Sequence, residues 1–445
     1  MKRRSFLQLA ALSGLSVGVP FMARPLHAQA QAYGGPYWVM VNASGGWDPT
    51  FLFNPTMNAK HNRLYTEVRQ VGAFSFAPIP IDIAAMGLDA ALPVEQYQQW
   101  MMTNEAFLTK FGSRLTVLNG VDTSTNNHDS GTRTTWCGRI PEGYPSLAAM
   151  IAAAKAPEKP IAFLSAGGYD ATQGLIPLTR IASATSMKKL AYPNRLDPNN
   201  TQNQDQYHTA DTYNRIRAVQ AERLSALQNA QQLPRLKEGM SALYTARQSD
   251  NELEALEIPA TLVDLPGQLG DLERFNQQAQ LALAAFKAGL AVSANLQLGG
   301  FDTHSDHNRS QSRQLSKLLG GINYLMDYAA TQGLADKLVV IVGSDFGRGP
   351  QYNAAATNTN AGKDHWPITT VLAMGPGIAG NRVIGATNDE QRSRNIDPGS
   401  LAPVDGGVKL TPQLIHLALR RVAGIEGTEV ATKFPLLGDA LPLFG

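Results

Sequence analysis

The sequence predicts an α/β protein with a mostly parallel central sheet that is covered by helices on both faces. Short apolar runs of strand length alternate with helical patterns, and this order is typical of parallel sheets. The apolar runs are 36–46, 114–121, 160–168, 291–300, 337–347 and 369–377. The helical patterns are 146–154, 308–331 and 411–424. Thr411 as a cap and Pro412 in the first turn mark the start of the last helix.

The segment 185–260 differs from the rest of the chain because it is rich in Asn, Gln and charged residues. Its pattern predicts long amphipathic helices, interrupted near Pro234 because proline breaks the helical hydrogen-bond ladder. An apolar stripe of this kind needs a surface to cover. We therefore interpret the segment as a helical insertion that caps or borders the functional site within one α/β domain, 31–445.

The first 30 residues predict a twin-arginine export signal. Arg3 and Arg4 precede a moderately apolar stretch, 7–22, and small residues near position 30 form a cleavage pattern. The alternative is a membrane anchor, but the apolar stretch falls short of the ~20 residues needed to span a bilayer. We expect a periplasmic or secreted protein with no stable membrane span after signal cleavage.

Composition excludes some classes of protein. The 445 residues carry a formal net charge of +2, and no sustained Lys/Arg run follows the start, so we expect no nucleic-acid partner. A hydrophobic content of 43% is sufficient for a sizeable core. Cys137 is the single cysteine, so no intramolecular disulfide can form, and we interpret it as a packed residue rather than a nucleophile.

Acids and histidines follow three of the predicted strands. Asp48 follows the first apolar run, Asp302 and His304 follow the fourth, and Asp345 follows the fifth. The carboxyl ends of parallel strands line the ligand crevice of open α/β sheets, where several acids would repel one another without a cation. Carboxylate and imidazole together favour one or two divalent ions such as Zn or Mn over an all-oxygen Ca or Mg site. The alternative is that each Asp caps a helix separately.

Two further segments strengthen this prediction. "GKDHWP" places His365 before another strand, and "NNHDSG" places His128 at the start of a helix whose N-terminus could hold an anion. Arg133, Arg348 and Lys363 could then neutralise an acidic substrate, although most such residues are simply solvated.

The chain resembles the exported bacterial family catalogued as domain of unknown function 1501. The resemblance rests on "RRSFL", "GGWD", "NHD", "TTWCG", "GGFDTHSD", "SDFGRG", "KDHW" and "GPGIAGNRVIG", in this order. That family in turn looks like the alkaline phosphatase and sulfatase superfamily, which implies an alkaline phosphatase-like fold. The resemblance also implies metal-binding positions at Asp48, Asp302, His304, Asp345 and His365.

Two positions depart from the superfamily pattern. Phe346 follows Asp345 where the superfamily has a metal-binding histidine, and His128 stands where it has a Ser, Thr or Cys nucleophile. His128 could therefore be a nucleophile, a general base or a metal ligand. His307 is a rival to His304 for the metal-binding role.

Two functions remain open from the sequence. The first is a metal-dependent hydrolase of a phosphate or sulfate ester, or a similar anionic group, in a small molecule or a polymer. Its catalytic residues would be His128, Arg133 and Arg348. The second is a non-catalytic periplasmic binding or assembly protein that retains the fold and captures a protein partner.

Overall fold

The structure is a computed structural model, and it describes most of the chain after residue 32. The described residues are 33–445 without 59, 65–66, 182, 201–202, 234–235, 237–239, 241–252 and 254. The chain divides into two units, Met1–Tyr33 and Gly34–Gly445, and the fold reported below is that of the second. The predicted signal, 1–30, and the predicted helix interruption at Pro234 lie outside the described residues.

Twelve strands lie in the described part of the chain, eight of them in one central sheet. They are β1 (Tyr37–Ala43), β2 (Arg69–Val71), β3 (Phe74–Phe76), β4 (Leu115–Asp122), β5 (Phe163–Ser165), β6 (Leu178–Arg180), β7 (Ser293–Leu298), β8 (Leu338–Ser344), β9 (Gly347–Tyr352), β10 (Lys363–Trp366), β11 (Ile368–Met374) and β12 (Arg382–Ile384). The central sheet has the order β12-β4-β11-β8-β1-β7-β5-β6, while β2-β3 and β9-β10 form separate two-stranded ribbons.

Strand directions confirm a mostly parallel sheet. Within the central sheet, β11 alone is paired antiparallel, to β4 on one side and β8 on the other, and the other pairs are parallel. All seven residues of β1 are buried. Because successive side chains of a strand point to opposite faces, this burial means that both faces of the sheet are covered. All six predicted apolar runs contain strands of this sheet.

Helices of the described residues alternate with the strands. They are α1 (Ile83–Met86), α2 (Val94–Trp100), α3 (Asn104–Phe111), α4 (His128–Cys137), α5 (Leu147–Lys155), α6 (Ala184–Ala191), α7 (Ala210–Ala230), α8 (Gly270–Lys287), α9 (His307–Thr331), α10 (Pro412–Val422) and α11 (Glu429–Lys433). The three predicted helical patterns correspond to α5, α9 and α10. Thr411 caps α10 through its side chain, with Pro412 in the first turn, as predicted.

The segment that we interpret as an insertion contributes α6 and α7 to the described residues. Helix α7 has 21 residues, of which Leu224 is buried, whereas Val219 and Leu227 are exposed. The role of the segment as a cap over the site stays a prediction. Among the described helices, none is both long enough and apolar enough to cross a membrane.

Two buried histidines predict a loss of stability in mild acid. His416 on α10 donates its Nε2–H to the Thr135 carbonyl over 2.8 Å, and burial lowers the pKa of its imidazole to about 4. Burial also lowers the pKa of His307 to about 4, although a hydrogen bond with Asp48 opposes that shift. The unfolded chain, with ordinary histidine pKa values near 6.5, takes up these protons first as the pH falls. As the pH falls from 6.5 to 4, each histidine therefore lowers the free energy of unfolding by about 1.4 kcal/mol per pH unit.

Urea unfolding at several pH values measures this slope. We expect the His416→Gln variant, whose amide can still donate to Thr135, to lose the contribution of one histidine. An equal slope in the variant and the wild type would contradict the assignment to His416.

Candidate metal centre

The loops after β1 and β8 are hydrogen-bonded to each other at the carboxyl edge of the sheet. The Gly45 amide donates to Oδ2 of Asp345 over 3.0 Å, and the Gly46 amide donates to the Ser344 hydroxyl over 3.1 Å. Gly45 has a φ of +120°, and a Cβ at this position would lie 2.4 Å from the Asp302 amide nitrogen. Glycine is therefore required where the loop after β1 meets the loop after β7.

The antiparallel direction of β11 adds a histidine to this edge. Its amino end lies at the same edge as the carboxyl ends of β4 and β8, and His365 comes three residues before it, on β10. His128 follows β4 as the first residue of α4, behind the capping residue Asn127. One ligand atom from each of His128, Asp302 and His365 lies within 4.8 Å of the others. Three of the predicted site residues are thus brought together.

Neighbouring groups determine which ring nitrogens face Asp302. Nδ1 of His128 lies 2.8 Å from Oδ2 of Asp345 and donates to it, because a carboxylate can only accept. In the neutral ring Nε2 then carries no proton, and it lies 3.5 Å from Asp302 Oδ2. His365 donates from Nδ1 to the Asn126 carbonyl over 2.8 Å, so its Nε2, 3.2 Å from Asp302 Oδ1, is also unprotonated in the neutral ring.

His304 lies beside this group. Its Nε2 is 2.9 Å from Nε2 of His365 and 3.1 Å from Oδ1 of Asp302, while its Nδ1 is 3.4 Å from Asp364. The structure thus places His304, rather than His307, beside the cluster. Nε2 of His307 is instead bound to Asp48, and its Nδ1 to the Thr303 hydroxyl.

The Asp302 carboxylate is held ionised. Burial by itself would raise its pKa, but the surrounding donors and charges, led by the hydrogen bond from Arg348, together outweigh burial and lower the pKa to about 2. Oδ1 of Asp302 lies 2.6 Å from Nη2 of the fully buried Arg348. Asp302 is thus an anion at every pH at which the protein would operate.

The arrangement fits a divalent transition metal. Two unprotonated imidazole nitrogens and one carboxylate face each other, and these are ligands that suit Zn, Mn or Fe. Asp345 and the Asn126 carbonyl hold the second nitrogens of His128 and His365, as outer groups do for metal-binding histidines. In addition, Oδ1 of Asp345 is buried without a hydrogen-bond partner among the described residues. A cation nearby would compensate this uncoordinated oxygen.

Phe346 packs against two of these histidines. Its ring is fully buried, with its centroid 4.9 Å from the ring of His128 and 4.4 Å from that of His365. An apolar ring can fix the position of the imidazoles but offers no ligand atom to a metal. Phe346 therefore contributes packing, and no ligand, to the candidate centre.

Asp48, predicted as a metal ligand, has a different role. Its carboxylate is completely buried and binds Nζ of Lys363 at 2.6 Å and Nε2 of His307 at 2.9 Å. Its other oxygen accepts from the amide and hydroxyl of Thr50. Burial raises the pKa of Asp48, but the charge of Lys363 and the interactions with His307 together outweigh burial and keep the pKa well below its usual range. With its acceptor sites occupied, Asp48 belongs to a separate buried ion pair.

Arg348 and Lys363 do not face a substrate, in contrast to our prediction. Arg348 is fully buried, and it donates to the backbone carbonyls of Gly45, Gly46 and Lys363 as well as to Asp302. Lys363 is equally buried in its ion pair with Asp48. Both cations are therefore structural, and Arg348 acts on the site by positioning Asp302.

Arg133 does line an open cleft next to the cluster. The cleft has a volume of about 1140 Å³, and His128, Asp302 and Asp345 form part of its wall. Nη1 of Arg133 lies 3.1 Å from Glu142, while its Nε is buried without a hydrogen-bond partner among the described residues. The cleft lining includes none of the described residues of 185–260.

No sequence signal marks the carbonyl of Asn126, which accepts from Nδ1 of His365 and fixes the tautomer of the neutral ring. A backbone acceptor has no residue type, so it cannot be recognised before the fold is known. The pairing of Lys363 with Asp48 was missed for a related reason, because the two residues lie 315 positions apart.

The hydrogen bond between Asp345 and His128 leads to a prediction. The Asp345→Asn variant can present its amide NH₂ to His128 and so disfavour the tautomer with an unprotonated Nε2. We expect metal affinity to fall roughly 10- to 100-fold, the usual effect of removing an outer group. Competition with a chelator of known affinity measures the change. Unchanged affinity would mean that Asp345 does not orient His128.

The fold and the cluster define an α/β protein with an imidazole–carboxylate centre at the carboxyl edge of its sheet. The chain belongs to the family described as "Protein of unknown function (DUF1501)", whose model matches residues 38–400. No curated protein matches the sequence.

Several solved structures of sulfatases and alkaline phosphatases are similar to the chain. A 2-O GAG sulfatase has 11% identity and a TM-score of 0.33, with 89% of this chain and 72% of that chain covered. A sulfatase from Pseudoalteromonas sp. has 9% identity and a TM-score of 0.35, with 92% and 73% covered. An alkaline phosphatase from the Antarctic bacterium TAB5 has 10% identity and a TM-score of 0.25, with 78% and 94% covered.

Proposed function

We propose that the protein is an exported, metal-dependent hydrolase of a phosphate or sulfate ester or a similar anionic group. The observation that carries the proposal is the convergence of His128, Asp302 and His365, of which His128 and Asp302 line a cleft that also contains Arg133. A structural role alone does not require two unprotonated imidazole nitrogens to face an ionised carboxylate.

Each residue has a distinct task in this proposal. His128, Asp302 and His365, with His304 beside them, hold a divalent metal, which when bound supplies a Lewis acid and lowers the pKa of water. Asp345 keeps Nε2 of His128 unprotonated, and Arg348 keeps Asp302 ionised and in place.

Substrate binding falls to the cleft. Arg133 is the cation in the cleft lining, so we assign to it the contact with the anionic group of the substrate. A volume of about 1140 Å³ exceeds the range of ~300–1000 Å³ that is typical of small-ligand pockets. The cleft can therefore take an anionic small molecule or a segment of an anionic polymer.

The position of His128 favours water over a side chain as the nucleophile. Nδ1 of His128 is bound to Asp345, and Nε2 faces Asp302 as a ligand would. We propose that the oxygen of a water molecule bonds to phosphorus or sulfur while the bond to the ester oxygen breaks. One proton of the water passes to the leaving oxygen, so the products are an alcohol and the free acid anion.

Elemental analysis of the purified mature protein, combined with assays on a panel of phosphate and sulfate esters, tests the proposal. We expect close to one equivalent of a transition metal, and hydrolysis that a chelator removes and added metal restores. A metal-free protein that hydrolyses none of the esters would overturn it and would favour the non-catalytic binding protein.

We also propose that residues 1–30 direct export by the twin-arginine route. This proposal rests on the sequence pattern around Arg3 and Arg4. Fractionation of cells that produce the Arg3→Lys/Arg4→Lys double variant tests it. Retention of the variant in the cytoplasm is expected, and unchanged export would exclude this route.

A further inference from the structure

We infer that the cleft selects ester groups with a single negative charge, such as sulfate monoesters or phosphodiesters, over doubly charged phosphate monoesters. The inference rests on the proposed function, and it assigns to Glu142 the role of a specificity-determining residue. It is carried by the distribution of charged side chains around the cleft.

Carboxylates outnumber cations in the cleft lining. Asp129, Glu142, Asp302 and Asp345 line the cleft, whereas Arg133 is the one cationic side chain among the lining residues. Ordinary phosphate sites have the opposite balance, because a doubly charged group needs several positive charges to replace its hydration.

With a divalent ion bound, the net charge of the metal centre is slightly positive. Asp302 and Asp345 are negative, and the buried Arg348 guanidinium, 2.6 Å from Asp302, offsets one of them. The protein therefore contributes a charge of about −1, and a divalent cation changes it to about +1. The Asp48–Lys363 ion pair adds no net charge.

Glu142 neutralises the charge of Arg133, which a dianion would need as a second positive charge. Its carboxylate lies 3.1 Å from Nη1 of Arg133, so this pair also contributes no net charge to the cleft. The side chain of Arg133 is 14% exposed, whereas that of Glu142 is 89% exposed. The carboxylate is thus exposed, whereas the guanidinium that it neutralises is mostly buried, and both residues line the cleft.

The result is a site that offers at most one positive charge to an anion, because the exposed carboxylate of Asp129, also in the lining, can only reduce it. Arg133 lines the cleft, so its guanidinium is the donor available there to an oxygen of the anionic group. A sulfate monoester or a phosphodiester, with one negative charge, would be better compensated there than a dianion. A phosphate monoester, whose second pKa is about 6, would keep one uncompensated charge at pH 8.

Binding of three small probes to the metal-loaded mature protein tests the inference. Methyl sulfate and dimethyl phosphate carry one negative charge at pH 8, whereas methyl phosphate carries two. Calorimetry should show at least one of the singly charged probes binding roughly fivefold or more tightly than methyl phosphate, since one uncompensated charge costs about 1 kcal/mol at a solvated site. A preference between the two singly charged probes identifies sulfur or phosphorus as the central atom.

The Glu142→Gln variant isolates the effect of the Glu142 carboxylate. We expect it to strengthen methyl phosphate binding several-fold and to change methyl sulfate binding less, so that the ratio of the two affinities falls. Glu426→Gln is the matched control, because Glu426 forms an exposed ion pair with Arg421 and does not line the cleft. The control should leave the ratio unchanged.

Tighter binding of methyl phosphate to the wild type, an unchanged ratio in Glu142→Gln, or no binding of any probe would overturn the inference. Each of these results can occur in a protein that retains its metal and hydrolyses an ester, so they are distinct from failure of the proposed function. Failure of the proposed function is decided separately, by metal content and by the ester panel.

Discussion

Replacing Asp302 by alanine is expected to abolish metal retention and to lower ester hydrolysis at least 100-fold. Asp302 is the residue that contacts every other member of the cluster, with His128, His304 and His365 all within 3.5 Å of its carboxylate. Its loss removes a charged ligand, and with it the several kcal/mol of charge stabilisation that a bound metal supplies to the reaction. The loss of metal affinity should exceed the roughly 10- to 100-fold expected for Asp345→Asn.

Metal content after purification and affinity by chelator competition measure the result. Asp364→Ala is the matched control, because Asp364 is 80% exposed and touches the cluster only through Nδ1 of His304, at 3.4 Å. We expect the control to bind metal within about twofold of the wild type, as for other exposed ion pairs. The Asp302→Asn variant, which can still accept a hydrogen bond from Arg348, separates loss of the ligand charge from loss of packing.

Wild-type metal affinity in Asp302→Ala would show that the cluster is not a metal centre. The remaining explanation for the convergence would then be a hydrogen-bonded polar network. In that case the non-catalytic binding protein would become the better hypothesis for the function.

Six of the eight strands of the sheet were predictable because each lies in an apolar run, whereas β6 and β12, which are three residues long and partly exposed, were not predicted. β1, β4, β8 and β11 are buried at every position, and such strands appear in the sequence as continuous apolar runs. Strand direction was not predictable, because buried parallel and antiparallel strands have the same apolar pattern. The reversal of β11 therefore became known only from its pairing with β4 and β8.

The candidate site was predictable in its members but not in their roles. Asp302 and His365 were recognisable because polar residues directly after or before buried strands lie at the sheet edge. Asp48 has the same local signal, yet the distant Lys363 neutralises it. Arg348 and Lys363 were misassigned because residue type does not tell a buried cation from a cation that faces the substrate. Burial depends on the packing of segments that are remote in the sequence.

The buried ion pair of Lys363 and Asp48 carries the second large prediction. Lys363→Met should lower the free energy of unfolding by about 3–5 kcal/mol, because it leaves the completely buried Asp48 without its counter-charge. Lys363 Nζ also donates to the His61 carbonyl, so the variant removes the partner of a backbone group as well. Urea or guanidinium unfolding of the metal-free protein measures the loss.

Lys409→Met is the matched control for this measurement. Lys409 forms an ion pair with Asp122 at 2.8 Å, but its side chain is 53% exposed, so we expect a loss of about 1 kcal/mol or less. The Asp48→Asn/Lys363→Met double variant should lose less free energy of unfolding than the two single variants lose in sum, because it no longer buries an unpaired charge. A Lys363→Met variant as stable as the control would show that the buried pair contributes little.

The same variant also tests whether the ion pair supports the metal centre. The Lys363 carbonyl accepts from Nη1 of Arg348 over 3.0 Å, and Nη2 of Arg348 holds Asp302. Because Met keeps this backbone carbonyl, a small effect on metal affinity is expected if β10 stays in place. A large loss of metal affinity together with the loss of stability would mean that Lys363 positions Asp302 through Arg348. Stability and metal affinity, measured on this one variant, thus distinguish two roles of Lys363. One is to supply the counter-charge of Asp48, and the other is to hold the backbone carbonyl that binds Arg348.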